Sequence, residues 1–249
     1  MITPAALVLA GARPGRDPVA DYAGVSHKGL IPLAGRPLLE RVLGALRGAG
    51  VGHVAVSASD PAVIALATRL GATILPAEAG PSLSALRGVE ALGAPVLVTT
   101  SDHALLEAAW VHRFLADAPA TADVSVLLAR REVVEAAAPG TKRTYLTFAD
   151  GEWSGCNLFL LRTERGLAAV QLWRSIEADR KRPWRIIRKL GPATLLRYLA
   201  GRLTLVEALQ RLSRLCGAEV AAVASPFGLA AVDVDKPADL DLVRRLVGA

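Results

Sequence analysis

The feature that most constrains this chain is a rhythm. Short apolar runs at residues 5–10, 54–57, 72–75 and 95–100 are each followed by a loop and then by a stretch of helical periodicity. The helical stretches fall at 37–43, 60–70, 82–92 and from 102 through Trp110 and Phe114. Runs of this length, apolar at successive positions, suit strands buried on both faces. Strands that alternate with helices at this spacing predict a mostly parallel sheet with helices on both sides, an α/β fold of three layers. Beyond 123–128 the rhythm changes. Residues 144–148 and 157–161 read as strands about an Asp150-Gly151 turn, an extension of the sheet beside the main site. Residues 164–217 read as a helical insertion, interrupted at Gly191-Pro192 and Gly201, with a capping box at Thr204-Leu205-Val206-Glu207. A strand at 219–224, the segment Val232-Asp233-Val234-Asp235 and a helix from about Pro237 complete one domain over 1–249.

With 249 residues, 52% of them apolar, the chain can bury a full core. No apolar run reaches the roughly 18 uninterrupted positions that a membrane span needs. Met1-Ile2-Thr3-Pro4 lacks the charged start and cleavage site of a signal peptide, so the expected location is cytoplasmic. Cys156 and Cys216 have neither metal-ligand spacing nor a disulfide framework and read as partly buried thiols.

The net charge of +6 is not spread evenly. Residues 173–202 hold nine Lys/Arg and two acids, which leaves twenty basic against twenty-one acidic residues in the rest. The basic character therefore belongs to one segment.

In an open parallel sheet, ligands bind where the carboxyl ends of strands meet loops and helix N-termini. Three polar features fall at such ends: Gly11 with Arg13 and Arg16, Asp102, and Asp233 with Asp235. A glycine lets the backbone approach a phosphate, and Arg13, Arg16 and Lys28 can offset a triphosphate's charge. Asp102 ends an otherwise apolar strand, where a carboxylate is costly unless it caps, pairs or binds a metal. Mg²⁺ takes one or two carboxylates plus phosphate oxygens, which Asp102 and Asp235 would supply.

Other phosphate motifs are absent. Gly11-Ala12-Arg13-Pro14-Gly15-Arg16 fits neither G-x-G-x-x-G nor G-x-x-x-x-G-K-[ST], which disfavours a dehydrogenase and a P-loop ATPase. There is no G-x-S-x-G nucleophile elbow, and His103 has no second histidine placed to share a metal.

Leu9-Ala10-Gly11-Ala12-Arg13, followed by Lys28-Gly29-Leu30-Ile31-Pro32-Leu33-Ala34-Gly35-Arg36-Pro37-Leu38-Leu39, resembles the signature of the MobA-like NTP transferases. The likeness continues at Gly80-Pro81-Ser82-Leu83-Ser84-Ala85-Leu86, at Asp102, and at Asp233-Val234-Asp235-Lys236-Pro237-Ala238-Asp239-Leu240. These blocks span most of the chain in the family's order. The resemblance implies a Rossmann-like fold and a nucleotidyltransferase that moves an NMP group from an NTP, CTP or GTP favoured, to a phosphorylated sugar, alcohol or lipid headgroup.

Placed residue by residue, it implies that Leu9, Ala10, Gly11, Ala12, Pro81, Ser82 and Ser84 hold the nucleotide. Lys28 with Arg13 or Arg16 would neutralise charge at the α-phosphate and on the leaving pyrophosphate. Asp102 and Asp235 would hold Mg²⁺ or Mn²⁺, and Gly155 and Asn157 would meet the acceptor. Asn157 reads equally as a strand-end residue bonding to backbone. An acceptor phosphate is already ionised near neutral pH, so no general base is required. Ala12 stands where the family's second glycine is usual, Lys236 where Thr is common, and the loop from Gly11 to Lys28 is longer than in compact relatives.

The basic segment has its own pattern. Arg182, Arg185, Arg188 and Lys189 line one side of a short helix, with Trp184 and Ile187 toward the other, and Leu195-Leu196-Arg197-Tyr198-Leu199 continues the style. Arginine clusters with Trp and Tyr suit an anionic membrane surface, giving a peripheral association at the inner membrane. A partner-binding or self-associating helix, as in a homodimer, and a solvated face are the competing readings. Nucleic acid is disfavoured because no reader motif accompanies the charge. Molybdopterin nucleotidyl transfer is the runner-up within the same chemistry. A non-catalytic nucleotide-binding, membrane-associated protein and a glycosyltransferase using Asp233-Val234-Asp235 as D-x-D are the alternatives in other classes.

Overall fold

The computed structural model of the protein describes residues 3–12, 15, 17–178 and 191–248. Its centre is an eight-stranded sheet. In chain order its strands are β1 (Ala5–Ala10), β4 (Val54–Ala58), β5 (Thr73–Pro76), β6 (Val96–Thr100), β7 (Val124–Arg130), β8 (Leu146–Phe148), β9 (Gly151–Leu161) and β10 (Val220–Ser225). Seven of them run in the order β10-β7-β9-β6-β1-β4-β5, and β8 pairs with β9. Two-residue β2 (Pro32–Leu33) and β3 (Arg36–Pro37) form a separate ribbon.

The predicted parallel set is present: β1 lies parallel to both β4 and β6, and β4 to β5. All five residues of β4 are buried, as a strand covered on both faces requires. The predicted sheet extension is corrected in place. Only β8 is peripheral; β9 enters the middle of the sheet, antiparallel to both β6 and β7. Local periodicity shows that β9 is a strand, but its neighbours lie some sixty and thirty residues upstream and are chosen by long-range pairing.

Alternate β1 side chains serve two cores. Ala6, Val8 and Ala10 pack with helices α2 (Leu38–Gly48), α5 (Ala108–Asp117) and α10 (Pro237–Val247), while Leu7 packs with α4 (Pro81–Leu92) and α7 (Leu167–Ala178). Leu38, Leu39 and Leu46 of α2 are fully buried, each contributing about 2 kcal/mol. Gly88 is required on α4 because a Cβ there would run into Leu7.

Caps fix where helices begin. Asp60 accepts the Ala62 and Val63 amides at the start of α3 (Pro61–Arg69), and Asp17 does the same for short α1 (Pro18–Tyr22). A further short helix, α6 (Arg131–Ala137), follows β7. The predicted helical insertion contains α7, α8 (Pro192–Leu199) and α9 (Leu205–Cys216), the last opened by the Thr204/Glu207 capping box and ended at left-handed Gly217. Helix α7 belongs to the body, since Val170 is buried with Leu86 and Val89 of α4. The predicted Arg182–Lys189 helix lies outside the described residues.

Candidate functional site

The site lies at the carboxyl ends of β1 and β6. These strands are in register, Leu9 opposite Thr100, and the Leu9 carbonyl accepts the Ser101 amide at 3.0 Å. The β1 loop and Asp102 therefore leave the sheet side by side. Gly11 also approaches the next loop, since a Cβ on it would meet that of Ala77 at 3.4 Å. The β1 loop, assigned to nucleotide by resemblance, thus neighbours the loop that leads from β5 to α4. Arg13 and Arg16 lie outside the described residues.

Lys28 opens a single turn of 3-10 helix, Lys28–Leu30, and extends into the site. Its Nζ donates to Asp102 Oδ2 at 2.6 Å, to Asp235 Oδ1 at 3.1 Å and to the Val234 carbonyl at 3.3 Å. Asp102 and Asp235, 133 positions apart in sequence, thus share one ammonium group. The Lys28 and Asp102 side chains are only 20% and 13% exposed, whereas Asp235 is 55% exposed, so one arm of the clasp is inside and the other is open to solvent. Burial raises the Asp102 carboxyl pKa, but the charge and hydrogen bond of Lys28 outweigh it and hold it below the usual carboxylate range. Burial lowers Lys28 in turn, and Asp102 followed by Asp235 outweighs that and holds it above its ordinary value. Asp102 Oδ1 is buried and has no close hydrogen-bond partner among the described residues.

Three neighbours place this clasp. The Asp102 carbonyl accepts the Val234 amide at 3.2 Å, stitching the β6 end to the 233–235 segment. Asp239, in the first turn of α10, reaches back to the amides of Asp235 (3.1 Å) and Lys236 (2.9 Å) and so fixes the backbone that carries Asp235. His27 is buried beside Lys28; its Nδ1 accepts the Gly29 amide at 2.9 Å and its ring also bonds to the Gly11 backbone. Nδ1 as acceptor requires the neutral ring, and burial lowers the His27 pKa accordingly. A Cβ on Gly29 would sit 3.2 Å from His27 and 3.3 Å from Ser101, close enough that one of these side chains would have to give.

A second polar group adjoins the first. Asn157 Nδ2 donates to Asp233 Oδ2 at 2.7 Å, and Arg143 bonds the other Asp233 oxygen and, at 3.2 Å, the Asp233 carbonyl. Asn157 sits at φ +46° where the β7–β9 pairing shifts register, a left-handed conformation that asparagine tolerates. Its side chain turns to a carboxylate rather than to local backbone. Gly155 lies exposed on the same strand, opposite Leu128. Asp233 thus faces Asn157 and Arg143 while Asp235 faces Lys28, so the two carboxylates of the D-x-D triplet do not act as a pair.

At α4 the serines are engaged by the protein. Ser84 Oγ accepts the Glu78 amide at 2.9 Å, and the Ser82 amide donates to Glu177 of α7 at 3.2 Å; both serine side chains are buried. Pro81 occupies the first turn, where its missing N–H costs nothing.

His27, Arg143 and Glu177 carry no local signal in the sequence, and Asp239, part of the closing family block, shows only as an acid three residues after the start of a helix. His103, by contrast, is a core residue: burial pushes it down to about 4, and its ring lies 6.4 Å from Trp110. Cys156 is buried, with its thiol pushed up to about 12.

A mostly parallel sheet flanked by helices, with a lysine held between two aspartates at its carboxyl edge, defines a Rossmann-like α/β protein with a charged site at the strand ends. The chain belongs to the MobA-like NTP transferase domain family, whose model matches residues 6–190. Its fold is similar to that of a hypothetical transferase from Thermus thermophilus, 36% identical, with a TM-score of 0.84 over 96% of this chain and 100% of that one. At 19% identity it matches the 2-C-methyl-D-erythritol 4-phosphate cytidylyltransferase of the same organism, Thermus thermophilus, over 100% of both chains, TM-score 0.56. A CMP:2-keto-3-deoxy-manno-octonic acid synthetase complexed with CTP matches at 18% identity over 98% of both chains, TM-score 0.58. At these lower identities the likeness is one of fold. No curated protein matches the sequence.

Proposed function

We propose that the protein is a Mg²⁺-dependent nucleotidyltransferase that moves an NMP group from an NTP, CTP or GTP, to a phosphorylated sugar, alcohol or lipid headgroup. The observation that carries the reading is Lys28 held between Asp102 and Asp235 beside the β1 loop. An acceptor phosphate oxygen attacks the α-phosphorus, the bond from the α-phosphorus to the bridging oxygen breaks, and pyrophosphate leaves with that electron pair. Lys28, released from the carboxylates toward the triphosphate, offsets the charge that grows on the leaving group, with Arg13 or Arg16 as its partner. The glycine loop at Gly11 admits the phosphates, and His27 keeps that loop and the Lys28 turn in one register. Asn157, with Gly155 beside it, meets the acceptor.

The donor set suits a divalent cation. Asp102 and Asp235 already direct oxygens at one shared positive charge, and Asp102 Oδ1 is unspent. Among the described residues no group of three or more His, Cys, Asp or Glu could hold a metal ion. Asp102 and Asp235 would be the one or two carboxylates that Mg²⁺, or Mn²⁺, takes beside substrate oxygens. When bound, the ion supplies Lewis-acid stabilisation of the phosphoryl oxygens.

The test is a pyrophosphate-release screen of four NTPs against sugar, alcohol and lipid phosphates, with Asp102→Ala as control. Release that needs one NTP and one acceptor class together, and is lost in Asp102→Ala, is the expected outcome. Release unchanged in that variant overturns the assignment of Asp102.

A further inference from the structure

The clasp at the strand ends holds one positive charge where the proposed reaction calls for two, Lys28 and a metal ion. An ammonium has three N–H donors and no acceptor. Three oxygens accept from Lys28 Nζ: Asp102 Oδ2 at 2.6 Å, Asp235 Oδ1 at 3.1 Å and the Val234 carbonyl at 3.3 Å. Nζ therefore sits where two carboxylates and a backbone carbonyl converge, the oxygen types that a hard divalent cation takes. Asp102 Oδ1 is closed to solvent. The Asp102 oxygen left for an arriving ion is Oδ2, which Nζ already holds.

The surroundings fix these oxygens without fixing the ammonium. The Asp102 carbonyl accepts the Val234 amide, and Asp239 accepts the amides of Asp235 and Lys236, so the backbone beneath both carboxylates is tied independently of Lys28. Lys28 opens a single 3-10 turn that His27 anchors through the Gly29 amide. Its flexible four-carbon stem can carry the charge away while that turn stays in place. Asp102 opposes the departure, because a carboxylate whose side chain is only 13% exposed is costly without a cation. One cation can leave only as another arrives. Nor can both remain, since a second positive charge among the same oxygens would lie beside the first and repel it.

We infer that the Lys28 ammonium and the divalent ion occupy the same place by turns: Lys28 is the resident cation of the free protein, and the ion enters together with a triphosphate that receives Lys28. The inference rests on the reading of Asp102 and Asp235 as metal carboxylates and adds an order of binding to it. A free ion displaces Lys28 with nothing to receive it. The protein therefore takes the metal as its complex with the nucleotide and discriminates against the ion alone.

Titration of the full chain with Mn²⁺, followed by the electron paramagnetic resonance signal of the free ion, tests it. Lys28→Met binds Mn²⁺ at least about tenfold more tightly than the wild type. Lys28→Gln, which is neutral yet still offers Asp102 a donor, shows the same gain and serves where Lys28→Met is too unstable to titrate. Lys236→Met, which removes an exposed charge next to Asp235 and leaves the clasp filled, changes the affinity by less than about threefold. In metal-free buffer Lys28→Met melts below the wild type, and Mn²⁺ raises its melting temperature while moving that of the wild type little. Equal affinity in the wild type and the Lys28 variants, with binding lost in Asp102→Ala, leaves the metal carboxylates in place and overturns the exchange. An equal gain in Lys236→Met overturns it too, as an effect of charge alone. Binding by the Lys28 variants that survives the addition of Asp102→Ala, or no binding by them at all, removes Asp102 as a metal carboxylate and the inference with it.

Discussion

The strand-end site and the α8 helix break opposite rules of burial. At the strand ends, charged groups sit mostly inside: Lys28, Asp102, Arg143 and Asp233 are each no more than 20% exposed. On α8, leucines sit mostly outside. Buried polar groups and exposed apolar ones are the two departures that carry information, because each is costly unless something offsets it. In the site the offset is internal, built from ion pairs and backbone amides. On α8 no buried residue supplies one. The difference teaches that the charges of the site are organised by their own partners, whereas the leucines of α8 are left exposed among the described residues.

The sharpest way to break this contrast is Asp102→Ala. It strips Lys28 of its buried partner, and we expect pyrophosphate release to fall by about three orders of magnitude with stability reduced by about 3 kcal/mol in urea titrations. A stable variant of undiminished activity would make the clasp ornamental.

Acid should also act on this half of the molecule. His103, held down to about 4 by burial, is neutral when folded, while the unfolded chain takes up its proton near 6.5. The unfolded state thus binds more protons between those values, and stability falls by up to about 3 kcal/mol as pH drops from 6.5 to 4. Chemical denaturation across that range, compared with His103→Gln, measures it; an equal slope in the variant would assign the loss to other groups.

Asp235→Ala separates function from stability. With its side chain 55% exposed, the carboxylate should contribute about 1 kcal/mol or less to folding, yet activity should drop by about a hundredfold. Parallel losses in thermal melts and rates would remove the distinction between the two arms. The smallest effect belongs to α8. Leu199→Gln should change stability by about 0.5 kcal/mol at most, because nothing buries that side chain. A markedly lower melting temperature would mean that the helix is part of the core after all.

Much of the site was legible because its parts are local. A glycine after a buried strand, an acid ending an apolar one and a lysine before a Pro-bounded helix can each be read within a few residues. The partners that place them could not be read. His27 looks like any histidine until the backbones of Gly11 and Gly29 are both brought to its ring, and Arg143 lies ninety residues from Asp233. The D-x-D triplet shows the same limit. Asp233 and Asp235 are adjacent in chemistry but turn to different partners, Asn157 and Lys28.

By itself the sequence determined the main alternating strands and helices of the first half, the parallel character of their sheet and the loops that bear charge, because periodicity, caps and glycines act over short distances. It also located the basic segment. Only the tertiary structure decided that β9 runs antiparallel between β6 and β7, that one ammonium joins Asp102 to Asp235, and that the α8 leucines are left uncovered. Those outcomes depend on which distant surfaces meet, and the free energy of such meetings is carried by pairs of segments that neither segment specifies alone.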